Sequence, residues 1–479
     1  MPSSTKNSQQ TLLQTQSGVA AQQPKGRRVE ARDVHGSRDN GQEYGEMNGS
    51  GDSSRLVELA NISPVRNPHG RHLYQEHFLE DAREEEEQQH HHEERQDAVR
   101  RSETTDGKHP PKLSPTATQL YTISYLIFFS FLGTLARLGL QALTFYPGSP
   151  VIFSEIWANF SGCLLTGFLI EDRKLFRDEW GIPTYHQALE KAKAGNQGEQ
   201  DGSSHVEMEA AKKAHNATKK TIPLYIGLTT GMCGCFTSFS SFIRDIFLAL
   251  SNALPPPDHN AIVARNGGHS FMALLAVIIA TVAICMGGLF VGAHIAIATE
   301  RFMPSIPFKF GRKWMDPSIV FLSFGCWIGA VFLAIFPPDR YSAANEIWRG
   351  RAVFALVFAP LGCLVRFYLS SWLNGKIPSF PLGTFTANMS GTVILGMCWD
   401  LQHVPLGGVV GCQVLQGIQD GFCGCLTTVS TWVGELSTLR RRHAYMYGGL
   451  SIAIALAFLV VIMGSMKWTI GFRELVCIH

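Results

Sequence analysis

Two stretches carry the same unusual chemistry inside apolar sequence: GMCGCFTSFSSF from Gly231 to Phe242, and GFCGCLTTVSTW from Gly421 to Trp432. In each, Gly-X-Cys-Gly-Cys runs into a cluster of hydroxyl side chains, Thr237 and Ser240 in the first and Thr427 and Ser430 in the second. Glycine within an apolar helix marks either a break or a close helix contact. An unwound backbone in a membrane interior persists only where protein, water or an ion takes up its carbonyl groups; otherwise such glycines belong to small-residue packing seams. The cysteine pairs Cys233/Cys235 and Cys423/Cys425 invite a metal, yet no histidine or carboxylate completes a tetrahedral set within the apolar spans. Asn159 and Asn388 also fall in apolar sequence. A mid-membrane amide is costly unless bonded, so each either joins helices or offers its NH₂ to an anion. Arg137 and Arg366 each stand four residues after a glycine. They read as structural residues, with stems long enough to snorkel to the interface.

The elements that hold these groups follow from hydropathy. The chain has 479 residues, 45% hydrophobic and 17% charged, but the averages hide a sharp division. Residues 1–117 contain almost no long apolar run, whereas most of the remainder falls into apolar stretches of about 20 residues, the span of a bilayer core. Nine spans are expected: 119–143, 151–170, 222–250, 270–299, 318–337, 351–373, 379–401, 406–436 and 444–466. The tail 1–117, with its run EEEEQQHHHEER from Glu84 to Arg95, cannot bury enough surface to order itself and reads as a disordered cytoplasmic segment. His90 to His92 read there as solvated low-complexity sequence rather than a metal site. No signal peptide is expected, since the first hydrophobic run begins near Gln119. The polar stretch 171–221 is too long for a helical hairpin turn and reads as a mobile loop. A formal net charge of +2, held in tails and loops, gives no reason to expect nucleic acid as a partner. Eleven cysteines without framework spacing predict no disulfide scaffold.

Lys and Arg fall unevenly between the two sides of nine spans. Arg173, Lys174, Arg177, Arg301, Lys309, Arg312, Lys313 and Arg440 to Arg442 share a side with the N-terminus. The opposite side holds Arg265, Arg340, Arg349, Lys467 and Arg473 with the C-terminus. The side richer in basic residues is the cytoplasm, so the N-terminus is expected inside and the C-terminus outside. The sequons at Asn61 and Asn216 then lie in unglycosylated cytoplasmic sequence.

An internal repeat organises the spans. Gly133, Arg137, Asn159 and Gly162 recur as Gly362, Arg366, Asn388 and Gly391, each displaced by 229 residues. Gly231, Gly234 and Asp245 recur as Gly421, Gly424 and Glu435, displaced by 190, because the first half carries the longer loop. The predicted fold is therefore an all-α polytopic membrane protein with two inverted four-helix repeats, residues 118–299 and 351–479. A linker, 300–350, contains one inverting transmembrane helix, 318–337. An odd connecting span turns the second half upside down, and a pseudo-two-fold axis in the membrane plane brings the two breaks together.

At this point the motifs become specific. GLTTGMCGCFTSFSSF and GIQDGFCGCLTTVSTW resemble the third helix of the Fluc (CrcB) fluoride-channel family. LGTLARLG and LGCLVRFY resemble its first-helix Gly-xxx-Arg signature, and WANFSGCLLTG and FTANMSGTVILG its second-helix Asn-xx-Gly signature. A single chain of two halves is similar to the fused eukaryotic fluoride exporters, FEX. The resemblance implies a passive, non-enzymatic fluoride channel of the plasma membrane, functional as one chain in the lipid bilayer. It implies a central structural Na+ held by main-chain carbonyls of Gly234, Cys235, Gly424 and Cys425. It assigns the fluoride pore to Asn159, Asn388, Phe239 and Phe242, with the polar track of Tyr447 and Ser451, and Trp432 and the hydroxyls of Thr237, Ser240, Thr427 and Ser430 are expected to line it with them. In the second half the two phenylalanine positions are Val429 and Trp432. That departure, with the lack of a clear Tyr-xxx-Ser in 270–299, predicts two unequal routes, the better one pairing Phe239 with Trp432. The residues alone reach only an inverted-repeat transport protein, so a secondary transporter of another small anion or of a metal ion stands as the alternative.

Overall fold

The computed structural model describes residues 115–176, 215–216, 218–254, 265–307, 310–337, 352–404, 407–475 and 477. The expectations for the N-terminal tail before residue 115, and for most of the loop 171–221, lie outside the described residues. Within them every regular element is helical. The first half comprises α1 (Pro115–Thr144), α2 (Glu155–Glu171), the short α3 (Pro223–Ile226), α4 (Gly234–Phe236), α5 (Phe239–Leu250) and α6 (Gly267–Thr299). A connecting helix α7 (Asp316–Ile335) leads to α8 (Phe354–Leu373), α9 (Leu382–Gln402), α10 (Gly408–Gly417), α11 (Gly424–Leu426), α12 (Val429–Thr438) and α13 (Arg441–Thr469). The wider π-helical turns Gly227–Cys233 and Ile418–Cys423 join α3 to α4 and α10 to α11.

Among the described residues, six helical segments are long and apolar enough to cross a membrane. They differ in what surrounds them. The broken segment Pro223–Leu250 is 89% buried over its most apolar window, against 28% for α6 and 22% for Gly311–Ile335. Apolar side chains such as Phe321 and Phe332 on α7, Ile279 on α6 and Val461 on α13 are exposed. In water a face of that kind would be an association site; on a polytopic protein it is the face that hydrocarbon covers. The expected spans α2, α9 and Gly408–Thr438 fall outside the six. α2 has only 17 residues, and the other two carry the polar groups of the central site.

Local sequence explains where the elements start. Pro223 opens α3, where its missing N–H costs nothing. Asn266 caps α6 by accepting from His269 N at 2.9 Å. Helix α7 is anchored at its first turn, where Tyr125 Oη donates to Asp316 Oδ1 at 2.9 Å and Arg312 pairs with Asp316 at 2.9 Å. Trp327 Nε1 donates to Val357 O at 3.0 Å, tying α7 to α8. Small-residue packing appears between α2 and α6, where a Cβ on Gly167 would run into Leu289 O and one on Gly292 into Leu164 O.

The cysteines depart from the sequence expectation in one place. Cys412 on α10 and Cys477 near the C-terminus form a disulfide, with the two Cα atoms 5.8 Å apart. A separation of 65 residues, with α11, α12 and α13 between the two cysteines, leaves no spacing signature to read. The other cysteines are free thiols, all buried except Cys326.

Candidate functional site

The two Gly-X-Cys-Gly-Cys stretches are breaks in the helical backbone. After α4 the chain turns extended at Thr237 (φ −97°, ψ 148°) and Ser238 (φ −136°, ψ 117°) before α5 begins. After α11 it does the same at Thr427 (φ −93°, ψ 155°) and Thr428 (φ −152°, ψ 134°) before α12. Ser238 and Thr428 cap the new helices, accepting from Ser241 N at 3.2 Å and Thr431 N at 3.4 Å.

Both asparagines are fully buried and clamp these breaks. Asn159 Oδ1 accepts from Ser238 N at 2.8 Å while its Nδ2 donates to Ser238 O at 3.4 Å. Asn388 Oδ1 accepts from Thr428 N at 2.9 Å while its Nδ2 donates to Thr428 O at 3.3 Å. One turn along each helix, Gly162 and Gly391 leave the room that Thr237 Cγ2 and Thr427 Cγ2 fill. The Asn-xx-Gly signature thus seats a break in both halves.

The breaks also interlock. Thr237 Oγ1 accepts from Val429 N and Ser430 N, both at 3.1 Å, and lies 3.1 Å from Thr428 Oγ1. In the reverse direction Thr427 Oγ1 accepts from Ser240 N at 3.0 Å and lies 3.0 Å from Ser240 Oγ. Ser430 Oγ donates to Cys233 O at 3.3 Å. Each threonine thereby caps the helix that continues the opposite break, satisfying N–H groups no ordinary cap reaches.

Diverting these amides frees carbonyls. In an uninterrupted helix Ser238 N would bond Gly234 O, Thr428 N would bond Gly424 O, and Val429 N would bond Cys425 O; all three are instead bound to side chains. A set of freed main-chain oxygens suits a hard alkali cation, as in other unwound membrane helices. Cys425 O already accepts from Arg366 Nε at 2.8 Å and brings only its second lone pair. The four thiols at the breaks, Cys233, Cys235, Cys423 and Cys425, are buried with the oxygens, and Thr134 Oγ1 lies 3.1 Å from Cys425 Sγ. Among the described residues no group of three or more His, Cys, Asp or Glu is placed to bind a metal through side chains.

Arg137 and Arg366 do not snorkel. They are 1% and 2% exposed, and each crosses to the break of the other half. Arg366 Nη2 donates to Thr230 O at 2.8 Å and to Cys235 Sγ at 3.3 Å, and its guanidinium covers Gly234 where a Cβ would stand. Arg137 bonds the carbonyl of Asp420 and covers Gly424. The glycines of the breaks are required by these close approaches.

Around the breaks the aromatic positions meet. The Phe239 ring stands edge to face with Trp432, centroids 5.3 Å apart, and with Phe242 at 5.9 Å. All three rings are buried, as is Val429. Tyr447 Oη donates to Glu435 Oε2 at 2.8 Å, and Ser451 Oγ donates back to Tyr447 O at 2.7 Å. The network around Glu435 was missed in the sequence: Thr384 Oγ1 donates to Glu435 Oε1 at 2.6 Å, and Asn374 Nδ2 does so at 3.5 Å. Its repeat relation to Asp245 marked Glu435 as a special position, but nothing in the spacing pointed to Tyr447 as its partner.

A broken helix pair interlocked by hydroxyls inside an all-helical, apolar-faced scaffold defines a multi-pass membrane protein with a transport-type centre. The chain belongs to the CrcB-like protein family (Camphor Resistance, CrcB), whose model matches residues 124–293 and 353–465. It is 56% identical over 444 residues to Fluoride export protein 1 of Neurospora crassa, covering 88% of this chain and 83% of that protein. It is 33% identical over 347 residues to Fluoride export protein 1 of Candida albicans, covering 71% and 78% respectively. The Fluoride-specific ion channel FluC of Pseudomonas paraeruginosa is 33% identical over 129 residues, which is 99% of that protein and 26% of this chain. No solved structure matches the chain.

Proposed function

We propose that this chain is a fluoride channel that lets cytoplasmic fluoride leave passively across the plasma membrane. It works as a single chain of nine spans, two four-helix halves in inverted orientation joined by α7, with the N-terminus inside and the C-terminus outside. The observation that carries the reading is the pair of interlocked breaks flanked by the Phe239–Trp432 edge contact, 5.3 Å between centroids, in a chain whose relatives are fluoride export proteins. The duplicated architecture is supported by a family model that matches two segments, on either side of α7. It is supported again by a bacterial channel whose whole length corresponds to a quarter of this chain. The Cys412–Cys477 disulfide supports an external C-terminus, because disulfides persist on the oxidising side of the membrane.

Hydrogen fluoride enters cells as a neutral weak acid, dissociates in the more neutral cytoplasm and leaves the anion trapped. An inside-negative potential of 100 mV is worth about 2.3 kcal/mol per charge, roughly a 50-fold outward bias without ATP. Dehydrated fluoride needs donors along its path. The hydroxyls of Thr237, Ser240 and Thr427, the second Nδ2 hydrogens of Asn159 and Asn388, and the positive ring edges of Phe239 and Phe242 supply them, and Ser430 and Ser451 join the path by turning their hydroxyls from Cys233 O and Tyr447 O to the ion. Carbonyls of Gly234, Cys235, Gly424 and Cys425 would hold one Na+ between the breaks, where it would supply fixed positive charge. Arg137 and Arg366 lock the two halves around that centre.

The test is fluoride-electrode efflux from liposomes holding the purified protein, loaded with potassium fluoride. Release that begins only when valinomycin dissipates the charge establishes electrogenic passive flux. Release that instead needs a counter-ion gradient at fixed stoichiometry refutes the channel reading.

A further inference from the structure

Trp432 stands where the first half has Phe242, and it brings something a phenylalanine lacks. The side chain is 1% exposed, and its Nε1 has no hydrogen-bond partner among the described residues. A buried N–H without an acceptor is costly, so such a group calls for an explanation. Phe239 presents its ring to the indole at 66°. The Cζ2 corner, two bonds from Nε1, lies towards Gly448 of α13, where a Cβ would stand 3.7 Å away. That glycine follows Tyr447, and Ser451 is on the next turn. Both hydroxyls are engaged, Tyr447 Oη with Glu435 and Ser451 Oγ with Tyr447 O.

From this we infer that the Trp432 indole N–H is a hydrogen-bond donor to the permeating fluoride, and hence a specificity-determining group of the Phe239 route. This rests on the fluoride-channel reading above. A ring edge offers only a weak partial charge, whereas an N–H to an anion is a charge-assisted bond, about twice as strong as a neutral one. Fluoride is the small halide with the most concentrated charge, so it gains most from such a donor. The acceptor that Nε1 lacks is the ion in transit. The change from Phe242 to Trp432 between the halves therefore strengthens one route at the same place where Val429 weakens the other.

The experiment compares Trp432→Phe, and replacement of the indole by its benzothiophene isostere, with Phe239→Ile, all by liposome efflux at matched reconstitution. The isostere keeps the shape and removes only the N–H. Both Trp432 variants should lose about tenfold or more of fluoride efflux. In parallel, protein labelled with ¹⁵N-tryptophan in nanodiscs should show one indole N–H resonance that moves with fluoride, does not move with chloride, and is absent from Trp432→Phe. An isostere that conducts at the parental rate while Phe239→Ile is impaired overturns the donor role alone. If Phe239→Ile also conducts fully, the route itself is wrong. An indole spectrum unmoved by saturating fluoride refutes the inference independently of flux.

Discussion

Replacing Thr237 by valine tests the interlock of the two breaks most directly. The swap is close to isosteric but removes the oxygen that accepts from Val429 N and Ser430 N, both at 3.1 Å, in a site with no exposure. Two buried N–H groups are left without partners. At about 1–3 kcal/mol for each orphaned group, Thr237→Val should cost roughly 2–6 kcal/mol of stability. Its counterpart Thr427 accepts one backbone N–H, from Ser240 at 3.0 Å, so Thr427→Val should cost about half as much. Thr237→Ser keeps the oxygen and should stay within about 1 kcal/mol of the parent. The assay is thermal unfolding of the purified protein in detergent, followed by the loss of monodisperse protein on size exclusion. Equal destabilisation by the two valine substitutions, or loss by Thr237→Ser matching that by Thr237→Val, would refute the asymmetric capping.

Other consequences concern permeation and topology. Phe239 makes two edge contacts and Phe242 one, so at about 0.5–1.5 kcal/mol per aromatic pair Phe239→Ile should be the more damaging. Liposome efflux should fall at least about tenfold for Phe239→Ile and clearly less for Phe242→Ile, with a drop of about 1.4 kcal/mol in transition-state stabilisation per decade. Asn159→Asp and Asn388→Asp disturb nearly identical bond pairs, 2.8 and 3.4 Å against 2.9 and 3.3 Å, so their structural costs should match. Any difference in their efflux then reports unequal routes, whereas equal, half-sized losses would mean two working pores. Single cysteines introduced at the two termini should react with an impermeant maleimide from opposite faces of the membrane; labelling from the same face would remove the odd span count and with it the inverted halves.

Much of this protein is legible in one dimension. Hydrophobic runs of bilayer length define the helices because burial of apolar side chains dominates every other local preference. Constant displacements of 229 and 190 residues reveal the duplication because a repeated backbone break needs the same glycines twice. The family motifs, and with them fluoride as the substrate of the relatives, are contiguous in sequence. What the sequence does not carry is direction. Gly-xxx-Arg is compatible with an arginine that snorkels or one that crosses inward, and only packing sends Arg137 to Gly424 and Arg366 to Gly234. Asn159 reads as an anion donor or as glue; the tertiary fold spends its Oδ1 and one Nδ2 hydrogen on Ser238. The Cys412–Cys477 bond, the Glu435–Tyr447 pair and the indole N–H of Trp432, without a partner among the described residues, are likewise set by which helices meet. The physical reason is common to all of them. Helix formation and membrane insertion are decided by local backbone bonding and side-chain transfer energies, which sum along the chain. A hydrogen bond between residues 192 apart, as from Val429 N to Thr237 Oγ1, exists only once the two breaks have been brought together.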